Sequence, residues 1–305
     1  MQMDDSAITG LTERDLDFEA IPVHCWDGGR GAGVLLLHGS GAGAATLSNF
    51  RRVLGPLSRE FHVLAADLVG FGQSGLKEVP PYFDMELWVR QLRWLLDQGL
   101  GEDVIVIGHS LSGAIALKAA ASDRRIGAVV TTGTMGVAPT DGRSGPRWRF
   151  PASRAEVQQA VERTFYDKSY AEPAEVERRL RVLNRPGYRE YFESMFDGPR
   201  ETYVEASALT AAELRSIRCP VVLMHGADDA SFSPQESSIA LARDIDEADV
   251  YVLSRCAHSV AHERPQELLG VVRTLAARIA ERSSQVPGPD GRWHVDVADE
   301  GVGAR

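Results

Sequence analysis

The sequence is 305 residues long, 44% of them apolar and 25% charged, which is ordinary for a globular protein with a hydrophobic core. Its formal net charge of −10 argues against a nucleic-acid-binding surface, because such a surface needs a basic stripe to replace counterions around phosphates. No apolar run approaches the roughly 18 residues that cross a bilayer, and the acidic, polar N-terminus does not resemble a secretory signal.

Short apolar runs rich in β-branched residues alternate with longer helical patterns along the chain. This alternation is typical of parallel strands covered by helices on both faces of a sheet. The fold class is therefore predicted to be α/β, with a mostly parallel central sheet. Strands are predicted at about 17–25, 33–38, 62–67, 103–108, 127–133, 220–225 and 248–253. Helices are predicted at about 46–57, 83–98, 111–121, 235–244 and 265–282.

Residues 139–210 interrupt this alternation, because they contain no convincing strand and carry helical charge patterns. A helical insertion between two strands of the sheet is the simplest interpretation, and such insertions often cover a site as a lid. We therefore predict a core formed by residues 1–138 and 211–283, with residues 139–210 as a helical lid. Residues 284–305 are rich in proline and glycine and are predicted to form a flexible tail.

The sharpest local pattern is the stretch VIVIGHSLSG, in which an apolar run leads through Gly108 to Ser110. A helix of small residues follows at once, and this strand–turn–helix setting is typical of a nucleophile elbow. Ser112 stands where the usual pattern has a second glycine, and it is small enough to fit. The elbow presents the Ser110 hydroxyl at a helix N-terminus, where the backbone N–H of Leu111 points at a developing oxyanion. We predict Ser110 as the nucleophile and Leu111 as one oxyanion-hole donor.

A serine hydroxyl is a poor nucleophile and needs a base within hydrogen-bond reach. The expected chain order is serine, then acid, then histidine. Acidic residues follow the predicted strand at 220–225, and His258 follows the strand at 248–253, so the groups meet at the carboxyl edge of the sheet. We predict His258 as the base and Asp229 as the acid that orients it. Asp228 is the alternative, and Asp229 is preferred because it lies one residue deeper in the loop.

A glycine-rich loop, HGSGAG, begins at the end of the predicted strand at 33–38. Glycines let backbone N–H groups approach a ligand closely, so the amide of Ser40 or Gly41 is predicted as the second oxyanion-hole donor. The same loop matches the dinucleotide-binding pattern G-x-G-x-x-A, with Asp67 at the end of the next strand. We prefer the hydrolase interpretation, because a dinucleotide site leaves Ser110 and its partners without a role. No cofactor is expected.

The three cysteines, Cys25, Cys219 and Cys256, are widely spaced. They predict neither a disulfide framework nor a metal site, and the sequence contains no H-E-x-x-H pattern. We expect a cytoplasmic enzyme that acts on a small-molecule substrate, without a nucleic-acid or membrane partner. Assembly into a homodimer is left open.

Several longer stretches extend the pattern beyond the elbow and span most of residues 33–270. They are LLLHGSGAGAATLSNFRRVLGPLS, VLAADLVGFGQSG, VIGHSLSGAIAL, GTMGV with TDG, YDKS, RVLNRPGYREYFESMF, VVLMHGADD and CAHSVAHERP. With these stretches the sequence resembles the α/β-hydrolase superfamily and, within it, the meta-cleavage-product hydrolases. Those enzymes cleave carbon–carbon bonds in ring-opened aromatic dienoates. The resemblance implies the α/β-hydrolase fold, a helical lid and hydrolysis of a ketone or dienoate.

Residue by residue, the resemblance implies the triad and oxyanion-hole amides already predicted. It also implies that Arg179, which precedes the turn Arg185-Pro186-Gly187, binds the carboxylate end of the substrate. A guanidinium fork suits a carboxylate because it can donate two parallel hydrogen bonds.

Two positions depart from the family pattern, and both are expected to contact the substrate. His109 stands where the family usually has asparagine before the nucleophile. Ser259 stands where it usually has tryptophan after the catalytic histidine. These departures favour, as the alternative function, hydrolysis of a carboxylic ester or lactone on the same scaffold. A more distant alternative is a ligand-binding protein with an inactive triad.

Overall fold

The computed structural model describes residues 8–138 and 147–284, and its centre is an eight-stranded sheet. The strands are β1 (Leu11–Phe18), β2 (Ile21–Gly28), β3 (Gly33–Leu37), β4 (His62–Ala66), β5 (Val104–His109), β6 (Ile126–Thr132), β7 (Val221–Gly226) and β8 (Ala248–Leu253). They lie in the order β1-β2-β4-β3-β5-β6-β7-β8. Neighbours from β4 through β8 pair in parallel, whereas β2 pairs antiparallel with both β1 and β4. The predicted α/β class and mostly parallel sheet are confirmed.

The helices connect these strands and include a group inserted between β6 and β7. Around the sheet lie α1 (Thr46–Ser58), α2 (Met85–Leu96), α3 (Leu111–Ala120), α8 (Ala211–Ser216), α9 (Ser238–Ala242), α10 (Val260–Glu263) and α11 (Pro265–Ser284). The inserted helices are α4 (Arg154–Glu162), α5 (Pro173–Leu183), α6 (Tyr188–Met195) and α7 (Arg200–Ser207). Among the described residues, no helix is both long enough and apolar enough to span a membrane.

One predicted element is wrong: the strand expected at 17–25 is a hairpin of β1 and β2. Its turn residues Glu19 and Ala20 have φ angles of 51° and 63°, which suit a two-residue hairpin turn but are unusual for these side chains. The carboxylate of Asp17 accepts a hydrogen bond from the N–H of Ala20 at 3.2 Å and supports the turn. Because the turn contains neither glycine nor asparagine, the sequence carried no signal for it.

The hydrophobic core has two parts, one on each face of the sheet. Alternate residues of a strand point to opposite faces, so Leu35 and Leu37 join the part beneath α2 and α3. Val34 and Leu36 join the other part, beneath α1 and α11. Every residue of β3 is buried for this reason, as expected for a strand covered by helices on both sides.

The inserted helices are continuous with the first of these core parts, which includes Val161, Phe165 and Phe192. The N-cap of α4 is Ser153, whose hydroxyl accepts a hydrogen bond from the N–H of Glu156 at 3.2 Å. The structure thus has helices and no strand in the described part of 139–210. Residues 139–146 and 285–305, to which the predicted lid and tail extend, lie outside the described residues. The division into core, lid and tail remains a prediction.

Candidate active site

The turn between β5 and α3 holds Ser110 in a strained conformation. Its φ of 53° and ψ of −114° lie in a region that non-glycine residues rarely adopt. The Ser110 N–H donates to the carbonyl of Thr132 on β6 at 2.9 Å, which ties the turn to the sheet. A Cβ on Gly108 would lie 2.2 Å from the carbonyl oxygen of Ser112, so only glycine fits there. The sequence pattern of the elbow therefore reflects a backbone requirement.

The glycine-rich loop after β3 lies directly against this turn. A Cβ added to Gly39 would come within 3.0 Å of the Ser110 Cβ. His38 braces the loop, because its Nδ1 donates to the Gly39 carbonyl at 2.6 Å while its Nε2 accepts from the Leu68 N–H at 3.0 Å. Ser112, in the position where glycine is usual, donates its hydroxyl hydrogen bond to the carbonyl of His38. The loop is thus built to face Ser110, and this favours an oxyanion hole over the dinucleotide alternative.

Asp229 contacts His258 from the loop after β7. Its Oδ2 lies 2.7 Å from Nδ1 of His258, so that nitrogen donates and Nε2 is left for another partner. The other carboxylate oxygen accepts the backbone N–H groups of Ser231 at 2.7 Å and Phe232 at 3.3 Å. The Asp229 side chain is completely buried, whereas Asp228 is exposed. The structure therefore places Asp229, and not Asp228, behind the histidine.

His225 is a second partner of Asp229 that sequence reasoning missed. Its Nε2 lies 3.2 Å from the carboxylate and 3.0 Å from the carbonyl of Phe232, so it carries a hydrogen. Its Nδ1 then accepts from the hydroxyl of Ser238 at 2.8 Å. Burial alone raises the pKa of Asp229, but the charge of His258 and hydrogen bonds from both histidines outweigh it. The net result is an Asp229 pKa well below its usual range, so the carboxylate stays ionised behind His258.

Gly133, at the end of β6, lets the His258 ring approach the sheet. Its φ of 53° suits glycine, and a Cβ there would lie 2.8 Å from Nδ1 of His258. The same Cβ would lie 3.2 Å from the Asp229 carboxylate. A side chain at this position would therefore crowd both Asp229 and His258.

Ser110 and His258 open onto one cavity of about 260 Å³. The predicted oxyanion-loop residues Ser40 and Gly41 line it, while the Leu111 side chain is buried at the start of α3. Among the hydrogen bonds of the described residues, none joins the Ser110 hydroxyl to the His258 ring. Hydrogen bonds of a catalytic site are often long without substrate and tighten in the complex.

The two departures from the family pattern, His109 and Ser259, also line this cavity. The Nδ1 of His109 lies 3.0 Å from the carbonyl oxygen of Thr132, which can only accept, so Nδ1 carries the hydrogen. Nε2 is consequently a hydrogen-bond acceptor. Burial and the neighbouring His258, whose ring centroid is 4.6 Å away, hold the pKa of His109 well below its ordinary value. The ring is therefore neutral at physiological pH.

Arg179 reaches the cavity from α5 and is only 7% exposed. Its Nη1 donates to the carbonyl of Ala42 in the glycine-rich loop at 3.2 Å. Its Nε lies 3.7 Å from Glu175, a buried carboxylate that also binds Arg178 at 2.9 Å. Burial lowers the pKa of Arg179, and Glu175 opposes this shift. Since Glu175 is shared with another arginine, the Arg179 guanidinium retains capacity for an anionic ligand.

Three further arginines line the cavity and were not singled out from the sequence: Arg147, Arg163 and Arg200. They lie on or beside the inserted helices, where side-chain direction depends on tertiary packing that no local motif encodes. Within residues 8–138 and 147–284, no group of histidine, cysteine or acidic residues is arranged to hold a metal ion.

Comparison with known proteins places this geometry in a family. Residues 34–271 match the model of the alpha/beta hydrolase family. The 2-hydroxy-6-oxo-2,4-heptadienoate hydrolase of Pseudomonas putida is 33% identical over 260 residues, covering 84% of this chain and 93% of that protein. The 2-hydroxy-6-oxononadienedioate/2-hydroxy-6-oxononatrienedioate hydrolase of Cupriavidus pinatubonensis is 31% identical, with 81% of this chain and 88% of the relative covered.

A solved structure gives the same result. The 2-hydroxy-6-oxo-6-phenylhexa-2,4-dienoate hydrolase of Rhodococcus sp. strain RHA1 superposes with a TM-score of 0.77 at 27% identity. The match covers 88% of this chain and 99% of that one. The fold, the matched residues and the named relatives agree, and the chain belongs to the alpha/beta hydrolase family.

Proposed function

We propose that the protein hydrolyses the carbon–carbon bond beside the ketone of a 2-hydroxy-6-oxo-dienoate, with Ser110, His258 and Asp229 as its catalytic triad. The observation that carries the proposal is the contact of 2.7 Å between the buried Asp229 carboxylate and His258 on the wall of the cavity that Ser110 also lines. The relatives that match most of the chain are named for this class of substrate.

In the proposed reaction, His258 accepts the hydroxyl proton of Ser110, or of a water it activates, as the oxygen attacks the ketone carbon. The ketone oxygen becomes an oxyanion. When the carbon–carbon bond breaks, its electron pair goes to the dienoate carbon, which takes a proton delivered by His258. Where Ser110 is the attacking group, a water then hydrolyses the acyl-enzyme. Overall, the hydroxyl of one water goes to the acyl carbon and its hydrogen to the dienoate.

The oxyanion is proposed to bind the backbone N–H of Leu111 and that of Ser40 or Gly41. Leu111 is the first residue of α3, where helical N–H groups have no partner within the helix. A Cβ on Gly39 would lie only 3.0 Å from the Ser110 Cβ, and this closeness of the loop supports a donor from it, because the following amides then lie beside the nucleophile. Removal of one such donor costs about 10²–10³ in rate in related chemistry.

The carboxylate of the dienoate is proposed to bind Arg179. This guanidinium is buried beside the glycine-rich loop, so it can orient the chain of the substrate across Ser110. The 2-hydroxyl group is proposed to donate to Nε2 of His109, because that nitrogen is an acceptor on the cavity wall. Ser259 leaves room in this part of the cavity that a larger side chain would fill.

A turnover screen of wild type and Ser110→Ala tests the function. The screen follows the disappearance of dienoate ketones by absorbance, and we expect turnover by wild type and loss of at least four orders of magnitude in the variant. Failure of wild type to cleave any dienoate overturns the proposal. If a fluorophosphonate probe also fails to label Ser110, the ligand-binding alternative is favoured instead.

Hydrolysis of a carboxylic ester or lactone is the second candidate, since the same triad and oxyanion hole serve it. His109 and Ser259, which line the cavity in place of the family's usual residues, favour this alternative. The same screen should therefore include aryl esters and lactones of similar size. A kcat/KM for these compounds above that for every dienoate would establish this candidate.

The predicted lid, compartment and assembly belong with the same proposal. Residues 139–210 are proposed to act as a lid, supported by the inserted arginines on the cavity wall. A reducing cytoplasm is supported by the free state of Cys25, Cys219 and Cys256. The homodimer stays a prediction that analytical ultracentrifugation can test.

A further inference from the structure

The charged side chains that line the described part of the cavity are all of one sign, positive. Its described lining contains no aspartate or glutamate and four arginines, Arg147, Arg163, Arg179 and Arg200. A single carboxylate on the dienoate uses only Arg179. The protein as a whole carries a net charge of −10, so this positive cavity stands out from its surroundings. A cleft lined by one sign of charge concentrates ligands of the opposite sign.

The arginines lie at two separate places along the sheet edge. Arg179 contacts the loop after β3, whereas Arg200 donates to the carbonyl of Ser231 at 2.9 Å in the loop after β7. Strand β5, which ends at His109 just before Ser110, lies next to β3, and β6 lies between β5 and β7. Three strand spacings separate the two loops, which is roughly 14 Å. A substrate that spans them passes the nucleophile between its two ends.

Arg200 has the surroundings of an anion-binding group. Its guanidinium lies 4.9 Å from the ring centroid of Phe232 and 5.7 Å from that of Trp148, and both rings line the cavity. Half-burial lowers the pKa of Arg200, and the charge of the adjacent Glu201 opposes this shift. Within the described residues, no carboxylate forms an ion pair with Arg200. A guanidinium that is partly desolvated and lacks such a partner gains from binding an anion.

Arg147 and Arg163 reinforce this end of the cavity. Both are exposed, and both line the same cavity as Arg200. Arg163 precedes Thr164, whose carbonyl accepts the N–H of Ser259 at 2.9 Å, so Arg163 lies beside the His258 loop. Exposed charges at a cavity mouth contribute mainly to the rate of encounter.

We infer that the acyl end of the substrate carries a second carboxylate, which binds Arg200 on the far side of Ser110 from Arg179. This inference rests on the proposed function, because it assigns the group released as an acid from the same dienoate. The preferred substrate is then a ring-fission product with two carboxylates, and one released product is a dicarboxylic acid.

The test compares two substrates that differ in one group. They are 2-hydroxy-6-oxonona-2,4-dienedioate and 2-hydroxy-6-oxonona-2,4-dienoate, whose acyl ends have the same carbon chain with and without a carboxylate. We expect wild type to favour the diacid in kcat/KM by about tenfold or more, since a charge-assisted hydrogen bond gives this order of discrimination. The preference should shrink at high salt.

Arg200→Gln should lower kcat/KM for the diacid about tenfold, mainly through KM, and leave the monoacid within about twofold. Arg149→Gln is the matched control, since Arg149 is an exposed arginine two residues after Arg147 and does not line the cavity. If Arg200→Gln does not fold, Arg163→Gln provides a second test of the site. Arg163 is exposed, so its replacement should not disturb folding. Arg163→Gln is expected to lower kcat/KM for the diacid only, and this loss should become smaller at high salt.

The outcomes separate the two proposals. Equal turnover of the two substrates by wild type, or an equal loss for both in the arginine variants, overturns the second carboxylate site and leaves the proposed function standing. Failure to cleave either substrate overturns both. A loss confined to the diacid in the arginine variants, and absent from Arg149→Gln, supports the site.

Discussion

The strand-end loops and the helical insertion contribute to one cavity in different ways. In the loops, backbone geometry fixes the polar groups: Ser110 is held at a φ of 53°, and Asp229 accepts two backbone N–H groups. In the insertion, Arg179 and Arg200 reach the cavity as long side chains, each with a hydrogen bond to a loop carbonyl. Under the proposed function, the loops would carry the chemistry and the insertion would select the substrate.

The largest expected effect comes from the loop side. Ser110→Ala should reduce turnover by at least four orders of magnitude without loss of stability, because it removes only the nucleophilic oxygen. Steady-state kinetics with matched circular dichroism checks this. Residual activity within tenfold of wild type would mean that the loops do not carry the chemistry.

A second experiment, at Gly133, distinguishes the effect of backbone strain on kcat from the effect of displacing His258. Gly133→Ala places a Cβ within 2.8 Å of Nδ1 of His258, and we expect kcat to fall about 10²-fold. Gly99→Ala is the control, since Gly99 also has a positive φ, 91°, but nothing lies within 4 Å of its added Cβ. Both variants should be destabilised, whereas only the first should lose kcat. A similar loss of kcat in both would contradict the assigned position of His258.

A smaller effect is expected at the second partner of Asp229. His225→Leu removes the N–H that donates to the carboxylate, so the Asp229–His258 contact should loosen and kcat should fall about tenfold. His62→Leu, which removes an imidazole 2.9 Å from Asp27 far from the cavity, should leave kcat unchanged. Unchanged kcat in both variants would show that His225 has no part in positioning the acid.

The smallest expected effect is on stability beneath the insertion, at His262. Burial, and then the charges of Arg51, Arg52 and Arg178, lower the pKa of His262 to about 3. The unfolded chain binds this proton near pH 6.5 and the folded chain does not, so the free energy of unfolding falls as the pH drops from 6.5 toward 3.

His262→Leu removes this proton-binding difference. Between pH 7 and pH 4.5 the variant should lose about 1–3 kcal/mol less stability than wild type, as measured by urea unfolding at each pH. Parallel losses in the two proteins would contradict the assignment. Activity is not expected to separate them, since His262 is not among the residues that line the cavity.

The sequence predicts the residues of the strand-end loops better than those of the helical insertion. Ser110, Asp229 and His258 each follow a recognisable apolar strand, and parallel strands bring their carboxyl ends to one edge. The sequence pattern fails to predict side-chain contacts that depend on tertiary packing. His225 lies within the apolar run of β7, and nothing in that run indicates its contact with Asp229. The helix that carries Arg200 contains no motif that predicts the direction of the Arg200 side chain.

The hairpin of β1 and β2 shows the same limit at the level of the fold. The Glu19–Ala20 turn depends on positive φ angles that these residue types seldom adopt, so the prediction of one strand there was wrong. In contrast, Gly108 and Gly39 stand where a Cβ would meet neighbouring atoms at 2.2 Å and 3.0 Å. Because the backbone requires glycine at these two positions, the elbow and the glycine-rich loop could be predicted from the sequence.

The seam between α4 and the His258 loop ties access to reactivity. The N–H of Ser259 donates to Thr164, and Glu263 accepts from the N–H groups of Tyr166 and Asp167 at 2.8 and 3.0 Å. These bonds join the segment after α4 to the loop that carries His258, so a movement of that segment away from the loop would break them. Under the proposed function, a displacement of the segment after α4 would therefore be transmitted to the loop that positions His258.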